Sequence, residues 1–153
     1  MFSNLWSAAL AYYGAAIVSA VVPWVNAELL MISAIPLADS RGALAALVVA
    51  VSTGQMTGKT FMYWASRKST RPYTPMVQRA VDRWRSRLAQ SPRSVLAVVF
   101  VSALVGFPPF FIVSVAAGAL GLAFRRFLVI GVAGRLVHFA VVAYVPDLLW
   151  RMS

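Results

Sequence analysis

Two ionisable side chains sit where an apolar run has no ordinary use for them: Glu28, closing Val21-Val22-Pro23-Trp24-Val25-Asn26-Ala27-Glu28, and Arg135, inside the run 127–145. A carboxyl group can take up and release a proton, and a guanidinium presents a planar fork that matches a phosphate or a carboxylate. In a medium that penalises each charge alone, pairing across the chain is the cheapest arrangement. Two uses of such a pair stay open. One is a fixed ion pair that holds the structure together; the other is a working pair in which Glu28 exchanges a proton while Arg135 meets an anionic group such as a lipid phosphate. Asn26 adds a hydrogen-bonding amide to the same break in the run. His138 lies one turn beyond Arg135 and reads first as a packing or hydrogen-bonding group, with a place in a cavity as the alternative. Lys59 is about six residues from the end of its run, roughly 9 Å at 1.5 Å per residue, so it can snorkel or line the same cavity. Arg135 is about nine residues in, roughly 13 Å on the same rise, too deep for snorkelling.

The body that must position these groups is a membrane one. Of 153 residues 61% are hydrophobic and 12% charged, and the mean hydropathy is +0.78, far more apolar than a soluble domain. The apolar residues gather in four stretches, at about 5–38, 43–65, 94–123 and 127–146, instead of alternating with polar ones as barrel strands would. Helices are expected throughout. No basic region precedes the first run, so Met1 to Leu10 is expected to stay in the mature chain. With no Cys and one His, disulfides and thiolate metal sites are excluded, and no metal or other cofactor is expected beyond protons as a coupling ion. Four acids, one His and no Cys also leave little material for an enzyme.

Fourteen Lys+Arg against four Asp+Glu give a formal charge of +10. Eight of those cations, Arg67, Lys68, Arg71, Arg79, Arg83, Arg85, Arg87 and Arg93, lie in one polar loop opposed by Asp82 alone. The positive-inside rule puts residues 66–93 in the cytoplasm. Beside a membrane-embedded body this cluster points to membrane lipids and anionic headgroups as partners and away from nucleic acid.

The run from Leu5 to Ala38 is too long for one plain span of roughly 20 residues and too short for two. Pro23 is the expected break, since proline removes a backbone donor and clashes with the preceding turn. The preferred arrangement is a re-entrant helical hairpin with its tip near Pro23; the rival is a full span over Leu5 to Val22 followed by a half-helix. Residues 43–65 suffice for one span and carry Gly54-Gln55-Met56-Thr57-Gly58-Lys59-Thr60. A phosphate loop needs four residues between its glycines, and here there are three. What remains is a Gly-x-x-x-Gly face, Gly54 and Gly58, that lets another helix approach.

In the basic loop, Met76, Val77, Ala80, Val81, Trp84 and Leu88 recur at helical spacing, Thr74-Pro75 suits a start and Ser91-Pro92 a stop. Such a helix is expected to lie in the headgroup layer with Arg79, Arg83, Trp84, Arg85 and Arg87 toward lipid, or else its arginines merely fix topology. The stretch 94–123 is broken in turn at Gly106-Phe107-Pro108-Pro109, and Pro108 stands 18 residues before Arg126 as Pro23 stands 18 before Arg41. The fold expected is therefore all-α and integral to the membrane. Two inverted repeats, about 5–65 and 94–146, each comprise a Pro-broken hairpin followed by a transmembrane helix, and the amphipathic cytoplasmic helix within 66–93 joins them in a single domain.

On these residues the chain resembles the DedA or VTT-domain superfamily, also called SNARE-associated Golgi proteins, and most closely its short bacterial branch. The features that carry the resemblance are Ser19-Ala20-Val21-Val22-Pro23 running to Asn26-Ala27-Glu28, then Gly54 to Lys59 closing at Arg67, Gly106-Phe107-Pro108-Pro109 leading to Ala117-Gly118, and Gly134-Arg135 with an aromatic at Phe139. The resemblance implies two facing re-entrant hairpins and a role in moving lipid across the bilayer. For bacterial relatives it implies a polyprenyl-phosphate cargo coupled to the proton gradient in the cytoplasmic (inner) membrane, and for eukaryotic ones phospholipid scrambling. Glu28 matches the acidic residue of the family's first hairpin. Larger relatives carry acids and arginines in the second hairpin, whereas Phe107 to Val113 is uncharged here. A small transporter or flippase of anionic lipid is the expectation, a non-transporting scaffold with a structural ion pair and a lipid-docking basic loop the alternative. A homo-oligomer stays open.

Overall fold

The computed structural model describes residues 2–22, 25–69 and 74–152. Among the described residues seven α-helices follow one another: α1 (Phe2–Val21), α2 (Ala27–Ala34), α3 (Arg41–Arg67), α4 (Pro75–Gln90), α5 (Pro92–Val105), α6 (Phe110–Ala119) and α7 (Phe124–Met152), with a 3-10 turn at Ile35–Leu37 after α2. No strand occurs among the described residues. The expected break at Pro23 and the side chain of Leu88 lie outside them.

Each helix starts and stops for a local reason. Asn26 is extended (φ −77°, ψ 115°), and its Oδ1 accepts from Glu28 N at 2.8 Å and Leu29 N at 3.3 Å, so the amide satisfies two orphan donors of α2. Glu28 in the first turn adds a negative charge at the positive end of the helix. Ser40 Oγ accepts from Ala43 N at 3.1 Å at the start of α3. Pro75 and Pro92 each stand in the first turn of their helices, where a missing N–H costs nothing. α5 ends at Gly106, whose φ of 81° is the left-handed conformation that glycine adopts without a Cβ penalty.

Phe124–Val145 is the one described helix segment both long and apolar enough to cross a membrane. The second span expected in 43–65 differs: α3 has 27 residues, but Ser52, Thr53, Gln55, Thr57, Lys59 and Thr60 dilute its apolar character. Leu5–Val21, Ala27–Leu37, Arg93–Val105 and Phe110–Ala119 are shorter apolar helices. α5 and α6, with 14 and 10 residues, are about 21 and 15 Å long against a hydrocarbon core of about 30 Å.

The chain divides into two compact units, residues 1–58 with 135–153, and residues 59–134. In the first, α1 packs on α2, and Ala16, Met31, Ala34, Leu44, Leu47, Val48, Val51, Phe139 and Ala143 form the core. Gly54 and Gly58 face α1: a Cβ on Gly54 would stand 2.9 Å from Ala16 Cβ, and one on Gly58 2.5 Å from Ala20 Cβ. Only glycine permits that approach of backbone to backbone. Tyr13 Oη lies 2.9 Å from Thr57 Oγ1, tying the same two helices.

In the second unit, α4 packs across both α5 and α6. Val77, Val81 and Trp84 are buried, as are Val95, Val99, Phe110, Val113 and Ala117. The apolar face of the basic helix is thus spent on protein, leaving its arginines outside. Gly134 brings α7 against α5, where an added Cβ would stand 2.6 Å from Ala103 Cβ.

Candidate functional site

Arg135, His138 and Phe139 stand at i, i+3 and i+4 of α7 and so share one face of that helix. Phe139 is fully buried in the core of the first unit. The Arg135 guanidinium lies over its ring at 5.8 Å, and the His138 imidazole meets it edge-on at 5.0 Å. One buried aromatic therefore orients both polar side chains, with a cation–π contribution for the arginine.

The Glu28 carboxylate, projected from the first turn of α2 by the Asn26 cap, reaches His138: Oε1 lies 3.4 Å from Nε2. This contact is a full ion pair only when the imidazole carries its second proton. The same carboxylate attracts the Arg135 guanidinium electrostatically. Glu28 is 52% exposed, His138 12% and Arg135 8%, so the acid stands at the rim and the arginine inside.

Behind this face the unit has a polar interior that the sequence reading did not single out. Gln55 Nε2 donates to Ser19 Oγ at 2.5 Å, and Ser19 Oγ donates to the Ala16 carbonyl at 2.9 Å. Ser52 Oγ points to the Arg135 carbonyl at 3.4 Å. Ser19, Ser52 and Gln55 are all buried. The available signal was Gln55 inside Gly54–Gly58, read there for its glycines alone.

The structure thus brings Asn26, Glu28, Arg135 and His138 into one unit, and supplies His138 as the carboxylate's near contact. Pro108 and Pro109 lie in the α5–α6 connection: the Phe107–Pro108 peptide is cis, the Pro108 carbonyl accepts from Ser102 Oγ at 2.5 Å, and Pro109 occupies the N-cap of α6. Lys59 is 5% exposed, a burial that snorkelling does not produce. On α4, Arg79, Arg83, Arg85 and Arg87 are exposed. Trp84 differs from the expectation of a lipid-facing ring: it is 5% exposed, because the helix spends its apolar face on α5 and α6.

A family model of the VTT domain, the domain of DedA and SNARE-associated Golgi proteins, matches residues 25–148. The chain belongs to the VTT-domain family. The match in this VTT-domain protein runs from the Asn26 cap through α7 and contains every residue of the Glu28–His138–Arg135 face. All of α1, against which Gly54 and Gly58 pack, precedes it. No curated protein and no solved structure matches the chain.

Proposed function

We propose that this VTT-domain protein is a small membrane transporter or flippase of anionic lipid, a polyprenyl phosphate or a phospholipid, coupled to protons through Glu28. The observation that carries the reading is the 3.4 Å contact of the Glu28 carboxylate with His138 on the face that also presents Arg135. A proton acceptor, a second proton carrier and an anion receptor are then neighbours. With Glu28 protonated, Arg135 is released from the carboxylate's attraction and can take a lipid phosphate. When Glu28 ionises, it competes for the guanidinium and the phosphate leaves. On this mechanism lipid phosphate binding strengthens as pH falls, and Glu28→Gln holds the protein in its phosphate-accepting state at every pH.

The membrane is the bacterial cytoplasmic (inner) membrane in this reading, with residues 66–93 on the cytoplasmic side, and the protein is not an enzyme. Each proline-broken pair, α1–α2 and α5–α6, forms a re-entrant hairpin. Support comes from the packing of the helices in each pair and the shortness of α2, α5 and α6. The second reading, a non-transporting scaffold, is favoured by the burial of Arg135 at 8% exposure, which suits a structural charge pair.

Reconstitution into liposomes with a labelled polyprenyl phosphate tests the proposal. Wild type moves the lipid faster at lower pH on the loading side, Glu28→Gln loses that pH dependence, and Arg135→Ala loses the movement. Equal lipid movement in all three proteins and in empty vesicles sinks the transporter reading.

A further inference from the structure

In the second unit the C-terminal end of α3 and the first turn of α7 meet over a set of aromatic rings. Tyr63 is fully buried, its ring stacked on Phe127 at 5.1 Å, tilted against Phe124 at 5.4 Å and edge-on to Trp64 at 5.4 Å. Trp64 also lies 5.3 Å from Phe124. The Tyr63 hydroxyl donates to the Leu122 carbonyl and accepts from Arg67 Nη1 at 2.5 Å. The Arg67 guanidinium rests 5.5 Å from the Trp64 ring and 5.8 Å from the Tyr63 ring. A solvent-exposed arginine is ordinarily free to sample many rotamers; this one is exposed yet held on an aromatic floor by a hydrogen bond that uses one of its five donors.

The charge around it is of one sign. Lys68 follows Arg67, and Arg125 and Arg126 follow Phe124 in the first turn of α7, all three exposed. Two cations at a helix N-terminus are repelled by the positive end of the dipole, a cost that a bound anion would reverse. Asp82 is the only acid in residues 59–134, and it accepts from Gln78 Nε2 at 2.9 Å on α4.

We propose that Arg67, Lys68, Arg125 and Arg126 form a binding site for the headgroup phosphate of an anionic membrane phospholipid, with Arg67 as its preorganised centre. The lipid is chosen over a soluble anion because the patch stands at the end of the Phe124–Val145 span, at the depth where headgroups lie. Trp64, 40% exposed beside it, is the residue type that settles at that interface. The planar fork of Arg67 matches phosphate oxygens, and its fixed geometry removes much of the ordering cost of binding. The site shares no residue with the Glu28–Arg135 face and does not depend on lipid movement: a chain that transports nothing can still hold this lipid.

The test is titration of the full-length protein in uncharged detergent micelles with dioctanoyl phosphatidylglycerol, dioctanoyl phosphatidylcholine and inorganic phosphate, followed by calorimetry or native mass spectrometry. Phosphatidylglycerol is expected to bind about tenfold more tightly than phosphatidylcholine or phosphate. Arg67→Gln is expected to lose about tenfold of that affinity, and Arg67→Lys, which keeps charge without the planar fork, about threefold. The pair Arg125→Gln/Arg126→Gln lies on exposed positions and carries the test if Arg67→Gln fails to fold; it too is expected to lose about tenfold. Arg41→Gln, the same charge loss at the other end of α3, leaves binding unchanged. Equal binding of the two lipids, or wild-type affinity in the Arg67 and Arg125/Arg126 variants, overturns the proposal. Inorganic phosphate binding as tightly as phosphatidylglycerol overturns the lipid assignment. A loss confined to Arg79→Gln/Arg83→Gln/Arg85→Gln/Arg87→Gln moves the site to α4 and overturns it as well.

Discussion

Residues 59–134 contain eleven of the fourteen Lys+Arg and one of the four Asp+Glu, whereas residues 1–58 with 135–153 hold three of each and are neutral. Both units bury polar side chains, Ser19, Ser52, Gln55 and Arg135 in the neutral one and Lys59, Ser66, Ser102 and Ser114 in the basic one, and what separates them is the charge left outside. The basic unit covers an apolar helix pair with exposed arginines. Their helix breaks differ in the same sense. The first is closed by an amide cap with an acid in the following turn, the second by a left-handed glycine and an N-cap proline with no side-chain cap. The buried guanidinium of the neutral unit is oriented by the Phe139 ring, while the arginines of α4 stand exposed on the side that packing against α5 and α6 leaves free.

The comparison can be broken most severely at Trp84. If α4 is held by its apolar face, Trp84→Ala costs about 3 kcal/mol or more, read as a large drop in the thermal midpoint in detergent. Replacing Arg79, Arg83, Arg85 and Arg87 together by Gln, all at exposed positions, leaves that midpoint nearly unchanged. The glycine contact of the neutral unit comes next. Gly58→Val forces a side chain into Ala20 and the Ile17 carbonyl and is expected to cost about 2–3 kcal/mol. Gly14→Ala, with nothing within 4 Å, gains up to about 1 kcal/mol from helix propensity; equal effects at the two positions would show that proximity to α1 is irrelevant.

The two breaks give a matched pair of smaller effects. Asn26→Ala is expected to cost about 1 kcal/mol through the lost cap, and Gly106→Ala about 1 kcal/mol through strain at φ 81°. Denaturation monitored by circular dichroism should resolve both, and only Asn26→Ala should alter the pH dependence of lipid movement, because only that cap sets the position of Glu28. The smallest stability change belongs to Glu28→Gln at its exposed rim position. Its midpoint should stay within a degree or two of wild type while its transport loses pH dependence; a large destabilisation instead would favour the scaffold reading.

Much of this was legible along the chain. Thr74-Pro75 and Ser91-Pro92 mark the ends of α4, and Gly106 with Pro108-Pro109 marks the second break, because proline and glycine act on the local backbone. The pairing of Glu28 with His138 was not legible. Sequence separates them by 110 positions, and periodicity says which residues share a face of one helix, not which helix that face meets. Trp84 was misplaced for the same reason: an apolar stripe at helical spacing fits a lipid surface and a protein surface equally well.

The sequence by itself determined that the chain is helical and apolar, where its helices break, and that Glu28 and Arg135 are anomalous charges in apolar runs, since each of these follows from local chemistry and solvent transfer. Only the tertiary structure decided that the carboxylate of Glu28 stands at His138, that Phe139 is the floor beneath both polar side chains of α7, and that Arg67 lies pinned on Trp64 and Tyr63. The Glu28–His138 contact joins segments far apart in the chain, and the rings that hold Arg135, His138 and Arg67 from one helical turn away are themselves fixed by distant partners, Phe139 in the core of the first unit and Tyr63 against Phe124 and Phe127, which no local pattern names.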